Sequence, residues 1–163
     1  MRKTDREIVN ILQDNSRIRP DQIAAMLGLE VSEVEDRIKA LEDEGIIAKY
    51  LTLINWEKTC EEAVSALIEV KVAPQRGAGF DNVAERIYRF PEVKAVYLMS
   101  GGYDFSVLIE GNSMKEVALF VATKLATIEN VQSTATHFVL KRYKQEGVIF
   151  DDKEKDRRLV ISP

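Results

Sequence analysis

At 163 residues the chain has room for one domain or two small ones. With 45% hydrophobic and 31% charged residues it can build a packed core, which excludes a disordered chain. A net charge of −4 excludes a uniformly basic surface, and no apolar run approaches the roughly 18 residues of a membrane span.

The first fifty residues read as three short helices. Thr4-Asp5-Arg6-Glu7 predicts a capping box, followed by Ile8, Val9, Ile11 and Leu12 on one stripe. Asn15 and Ser16 break that helix. A second helix starts near Pro20, which suits a first helical position, and buries Ile23, Ala24 and Leu27. Gly28 supplies a sharp turn. A third helix carries Val34, Ile38 and Leu41 at helical spacing and stops at Gly45. Two helices joined by a short glycine turn form a helix-turn-helix, whose second helix enters a DNA major groove. Residues 1–50 are therefore expected to be a DNA-binding domain with double-stranded DNA as partner.

Residues 51–62 read as a hinge strand and connector. Tyr50, Leu51, Leu53 and Ile54 favour strand, and Asn55-Trp56-Glu57-Lys58 reads as a turn. Then the period changes. Val64, Ala66, Ile68, Val70 and Val72 alternate with Ser65, Leu67, Glu69 and Lys71, as in a half-buried strand. Pro74 to Gly79 is a loop, and Phe80, Val83, Ala84 and Ile87 give a helix. Val93–Met99 is a strand, Ser100–Asp104 a turn and Phe105–Ile109 another strand. Ser113-Met114-Lys115-Glu116 is a capping box before a helix that buries Val117, Phe120, Val121 and Leu125. Val131–Tyr143 is a long fourth strand. Phe90-Pro91-Glu92-Val93 and Ile128-Glu129-Asn130-Val131 are similar approaches to a strand, a weak internal repeat.

The fold class is thus α+β. A helix-turn-helix precedes a ferredoxin-like βαββαβ domain over residues 63–144, with both helices on one face of an antiparallel sheet. An apolar sheet face left open calls for a second copy as its cover. Residues 145–163 form a tail in which Arg157–Ile161 reads as a short edge strand. Cys60 is the lone cysteine, so no internal disulfide forms, and a charged N-terminus without a signal-peptide core gives the expectation of a cytoplasmic protein.

Charge argues against strong DNA binding. Residues 1–50 hold eight bases and eleven acids, a balance of −3. Val31, Ser32, Glu33 and Asp36 are expected to face the groove, with Arg17, Arg19 and Lys39 in reach of phosphate. Three readings of the acids stand side by side. Ser32 and Glu35 form a capping box; Glu33 or Asp36 accepts from cytosine N4; or the helix has lost tight DNA binding. Arg37 is expected to pair with neighbouring acids.

Ser100, Gly101, Gly102, Tyr103 and Asp104 also carry two readings. The glycines need only make a hairpin turn. Alternatively, backbone N–H groups beside them hold a carboxylate while Asp104 receives an α-ammonium. His137 lies mid-strand and reads as a packed or interfacial side chain rather than a metal ligand. There is no Ser-His-Asp, Cys-His or paired-carboxylate arrangement and no phosphate loop, so no catalytic residue, metal or cofactor is expected.

Taken together, the residues resemble the Lrp/AsnC (leucine-responsive regulatory protein and asparagine-regulator, feast/famine) family of prokaryotic transcription factors. The likeness runs through Asp5-Arg6-Glu7-Ile8-Val9, Ala24–Leu29, Arg37–Glu42 and Gly45-Ile46-Ile47 in the first half. In the second half it runs through Ser100–Asp104 and Val131-Gln132-Ser133-Thr134. The resemblance implies a winged or plain helix-turn-helix, a hinge strand and a sensing domain that dimerises, with dimers often closing into octamers. It also implies an amino-acid effector at contacts between sensing domains, lined by the Ser100–Asp104 turn together with Gln132, Ser133 and Thr134. The expected protein is a homo-oligomeric, amino-acid-responsive transcriptional regulator. The alternative is an amino-acid-sensing co-regulatory oligomer with weak or no DNA binding.

Overall fold

Apolar residues three and four apart draw the N-terminal helices together. The computed structural model describes residues 1–59, 64–73 and 79–150, and it separates into two units, Met1–Ile54 and Asn55–Pro163. In the first, α1 (Lys3–Asp14), α2 (Pro20–Leu27) and α3 (Val31–Asp43) bury Ile8, Leu12, Ile23, Ala24, Val34 and Leu41 against one another. Leu27 and Ile38 pack against that core while staying partly exposed. Each fully buried aliphatic side chain contributes about 1.5–3 kcal/mol.

The helix ends follow local chemistry. Asn15 Oδ1 accepts the Arg17 N–H at 3.1 Å, a turn that stops α1. Gly28 closes α2 at φ 68, where Leu29 N–H reaches Ala24 O at 3.0 Å. A Cβ on Gly28 meets nothing within 4 Å, so Gly28→Ala carries only the left-handed backbone penalty. We expect a loss of about 1–2 kcal/mol in chemical denaturation, and no loss at all would remove this account of the turn.

Two predicted caps are corrected. The Thr4–Glu7 box does not open α1, whose cap is Arg2; the Asp5 carboxylate accepts the Arg2 N–H at 2.9 Å. The helix begins one residue earlier than Thr4, which brings Asp5 rather than Glu7 to the third helical position. Likewise α3 is capped at Glu30, so Ser32 lies inside the helix and is no cap for Glu35. Residues 48–55 join no ladder among the described residues, and Tyr50, Leu51 and Ile54 are exposed. Tyr50 instead donates its hydroxyl to Glu42 Oε1 at 2.8 Å, and partial desolvation of the hydroxyl together with that carboxylate pushes the phenol up to about 12.

In the second unit strict alternation builds β1 (Val64–Val72) at the predicted bounds, with Ala66, Ile68, Val70 and Val72 buried. It is followed by α4 (Asp81–Tyr88), β2 (Val93–Leu98), β3 (Phe105–Gly111), α5 (Met114–Phe120) and β4 (Val131–Phe138). The sheet order is β2-β3-β1-β4, antiparallel throughout. Its core side packs on Val83 and Ile87 of α4 and on Val117 and Phe120 of α5. Phe80 meets Phe105 edge-on at 5.8 Å, and Phe90 meets Phe120 at 5.4 Å.

The internal repeat is visible in hydrogen bonds. Phe90 N–H bonds Ile87 O and Val93 N–H bonds Phe90 O; Ile128 N–H bonds Leu125 O and Val131 N–H bonds Ile128 O. Glu116 N–H donates to Ser113 Oγ at 3.1 Å as predicted, while the Glu116 carboxylate reaches one residue further back, to Asn112 N–H at 2.8 Å. Past Phe120 the helix widens into a π turn over Val121–Leu125, where Ala126 N–H bonds Val121 O at 2.8 Å. Both Val121 and Leu125 stay buried.

Three further expectations change. The last strand ends at Phe138, not Tyr143: among the described residues Val139 N–H makes the last backbone bond to β1, at Ser65 O, one residue from the β1 start. The chain then folds on itself as β5 (Lys144–Gln145) and β6 (Val148–Ile149). Glu146 at φ 47 and Gly147 at φ 79 give the two left-handed residues such a tight hairpin needs. The open sheet face is mixed rather than apolar: Leu67 and Leu108 share it with Glu69, Glu110 and His137. The Pro74–Gly79 loop up to residue 78, Cys60 and the predicted 157–161 strand lie outside the described residues.

Candidate DNA-binding and ligand-binding sites

On α3, Val31, Ser32, Glu35, Asp36 and Lys39 are exposed, opposite the buried Val34 and Leu41. Glu33 is not free. Arg37 Nη2 and Nε reach Glu33 Oε1 at 2.7 and 3.0 Å, and Arg37 Nη1 reaches Asp5 Oδ1 at 2.8 Å. The guanidinium therefore locks α3 to α1 and neutralises Glu33. The expected pairing of Arg37 with a nearby acid is found; its reach to Asp5, far off in sequence, was not foreseeable from spacing. The Arg2 N–H does most to hold the Asp5 carboxyl below its ordinary value, against partial burial and with help from Arg37.

Among the basic candidates, Arg19 grips Asp21 with two donors at 2.9 and 2.8 Å, and this lowers the Asp21 carboxyl. Arg17 and Lys39 are exposed and have no carboxylate partner among the described residues. The exposed face of α3 thus offers Ser32, two unpaired carboxylates (Glu35 and Asp36) and one lysine.

The sensing candidates gather at one end of the sheet. Met99 N–H bonds Asp104 O at 2.8 Å and closes the Ser100–Gly102–Tyr103 turn. Asp104 N–H bonds Val70 O at 3.0 Å, and Asp104 Oδ2 accepts the Val72 N–H at 2.7 Å. One carboxylate oxygen is therefore committed to β1; Oδ1 has no protein partner among the described residues. On the other side of β1, the register slips between Lys71 and Val72, which pair with Ser133 and Val131 and leave Gln132 as the extra residue. Ser133 stands opposite Lys71 and Thr134 opposite Val70, so they face opposite sides of the sheet. Asp104 and Ser133 are separated by β1, roughly 10 Å at ordinary strand spacing. One chain does not bring the two groups together.

The same end holds a cleft of about 140 Å³ lined by Val72, Ala73, Gly79, Phe80, Asn82, Val83, Arg86, Glu129 and Asn130. In the sequence Glu129-Asn130 reads only as an approach to a strand. Asn130, at φ 75, was the available signal, since asparagine is among the few residues that tolerate that backbone. His137 is exposed on the open face with Nε2 3.3 Å from Glu69 Oε1. No cluster of metal-ligating side chains occurs among the described residues. No helix among them is long and apolar enough to cross a membrane.

This architecture defines a helix-turn-helix protein with a ferredoxin-like second unit. Residues 1–48 match the winged helix-turn-helix DNA-binding family, and residues 65–149 match the Lrp/AsnC ligand binding domain. The uncharacterized HTH-type transcriptional regulator YugG of Bacillus subtilis is 54% identical over 158 residues, 96% of this chain and 95% of its own. A transcriptional regulator from Neisseria meningitidis, solved with L-Met, has a TM-score of 0.72 at 28% identity, covering 89% of this chain and 93% of that one. The leucine response regulatory protein of Mycobacterium tuberculosis has the same fold, with a TM-score of 0.75 at 24% identity over 90% of this chain and 97% of that one. The chain belongs to the Lrp/AsnC family of transcriptional regulators.

Proposed function

We propose that the protein is a homo-oligomeric regulator that binds double-stranded DNA through α3 and answers to a free amino acid, with no catalytic activity, no metal or cofactor, and a cytoplasmic place of work. The observation that carries this is the division of labour within one chain. An exposed helix of recognition type sits in one unit, and two half-built polar strips flank β1 in the other. A second copy supplying the missing strip is the simplest way to complete the ligand site. The amino-acid class draws support from L-Met in the Neisseria relative. We take 1–50 as the DNA-binding domain, 51–62 as the connector, 63–144 as the sensing and assembly domain and 145–163 as the tail. An amino acid that favours one assembly would set the spacing of the DNA-binding domains by population shift.

The test is polarisation on the DNA upstream of the protein's own gene, at about 50 and 200 mM salt, with each protein amino acid in turn. Light scattering on the same samples reads the assembly. An amino-acid-dependent change in both is the expected result; a monomer that ignores every amino acid removes the proposal. The second reading, an oligomer that senses but binds DNA weakly, is favoured by the unpaired Glu35 and Asp36. It wins if the ligand response appears and no DNA is bound at either salt.

Within this reading Asp104 meets the α-ammonium through Oδ1 while Oδ2 keeps its bond to Val72. Asp104→Asn retains an acceptor for Val72 and removes the charge. We expect amino-acid affinity to fall by about one to two decades in calorimetry, the worth of a charged hydrogen bond of about 1.5–3 kcal/mol. Unchanged affinity would move the ligand away from this turn.

A further inference from the structure

The chain leaves α3 under restraint. Gly45, at φ 70, turns it back, and the Gly45 N–H bonds Glu42 O at 2.9 Å. Ile47 N–H bonds Leu41 O at 3.0 Å, and the Ile47 side chain packs against the first core. Tyr50 then donates its hydroxyl to Glu42 Oε1 at 2.8 Å. Three successive points therefore return to the last turn of α3, and Glu42 receives two of them. Past Tyr50 the restraint ends. Leu51, Thr52, Leu53 and Ile54 make no hydrogen bond among the described residues, and the border between the two units falls after Ile54. With the Tyr50 bond in place, the free span ahead of the second unit is residues 51–54; without it, residues 48–54. At ordinary chain reach these spans allow roughly 14 Å and roughly 25 Å of slack.

We propose that Tyr50 is the positioning residue that couples the second unit to the recognition helix. Its bond to Glu42 makes the connector up to residue 50 one body with α3. A ligand bound in the second unit sets the spacing of the DNA-binding domains only when a displacement there reaches α3. Slack in the connector absorbs such a displacement, and the Tyr50 bond removes nearly half of the slack. The phenol suits this task. Its ring is rigid, with two side-chain torsions to fix. Its bond to a carboxylate is charge-assisted and stronger than one between neutral groups. Partial desolvation and the Glu42 carboxylate hold the hydroxyl protonated up to about 12, so the donor is present at every working pH. This role rests on the amino-acid-responsive reading above and adds to it the residue that carries the response from one unit to the other.

The experiment is polarisation on the full chain and its upstream DNA, with and without each protein amino acid at millimolar concentration. The amino acid with the largest effect on wild type is then carried to three variants, each checked for folding by circular dichroism. Tyr50→Phe keeps the ring and loses the donor. Glu42→Ala loses the acceptor, and Glu42→Gln keeps one. The quantity read is the ratio of DNA affinities with and without the amino acid, which cancels the charge change at Glu42. Coupled sites usually show ratios of about 5- to 150-fold. Tyr50→Phe and Glu42→Ala should each cut the ratio to under about 2-fold, and the double variant should lose no more than either. Glu42→Gln should retain most of it. Without the amino acid, Tyr50→Phe should weaken DNA binding only about 2-fold, the effect of the longer free span on effective concentration. Amino-acid affinity in the absence of DNA, read by calorimetry, should not change. A merely structural hydrogen bond would lower the melting point and leave the ratio where it is. A wild-type ratio in both Tyr50→Phe and Glu42→Ala overturns the proposal and leaves the amino-acid reading standing. If no amino acid changes the DNA affinity of wild type, that reading falls and takes this role for Tyr50 with it.

Discussion

Truncating Phe105 to alanine should destabilise the second unit by about 3–5 kcal/mol. Phe105 is 1% exposed, stands opposite Val70 in the ladder and meets Phe80 edge-on. Its removal leaves a cavity beside the helix layer that a strand pinned on both sides cannot close. For a unit of this size the melting point should fall by at least about 12 °C. The first unit has its own core around Ile8, Ile23 and Val34 and should be spared. Calorimetry measures the first effect and amide exchange at Ile8 and Leu12 the second. A loss under about 1 kcal/mol would mean that the core relaxes around the gap, contrary to the packing described.

Residues 1–54 alone should bind the upstream DNA at least about 100-fold more weakly than the full-length chain. The reason is electrostatic. Arg37 and Arg19 are held by carboxylates, so Arg17 and Lys39 are the candidates left to meet phosphate. Two phosphate contacts give a salt slope of only about −1.8, too little for tight binding at physiological salt. Several domains engaged at once make up the difference through effective concentration. Asp36→Asn should strengthen non-specific binding by removing one repulsion, and it should shift base preference where Asp36 accepts from a cytosine. Polarisation on both lengths of chain decides the matter. Equal affinity of the two would eliminate the multivalent explanation.

What the sequence made legible and what it hid divide along one physical line. β1 and α2 were readable because their limits are local. Alternation sets Val64–Val72, while Pro20 and Gly28 punctuate the helix. The end of β4 was not readable, because it depends on where β1 begins, many residues away. The β5–β6 hairpin was missed since glutamate rarely takes the left-handed turn position that Glu146 occupies. Among the candidate site residues, the exposure of Val31, Ser32, Asp36 and Lys39 followed from the spacing of Val34, Ile38 and Leu41. The reach of Arg37 to Asp5, the tie from Asp104 to Val72 and the cleft at Arg86 and Glu129 did not. Each joins groups far apart in sequence through tertiary packing, which periodicity does not encode.

The matching Ile87–Phe90–Val93 and Leu125–Ile128–Val131 bonds mark the second unit as two βαβ halves, β1-α4-β2 and β3-α5-β4. The strand order interleaves them: β2 pairs with β3, β3 with β1, and β1 with β4. Each of these three ladders joins a strand of one half to a strand of the other. Neither half can make a sheet hydrogen bond by itself, so neither has a half-folded state worth populating. The sensing unit must therefore melt and refold in a single all-or-none step, and its rate is set by chain closure over long sequence distances rather than by the speed of either half.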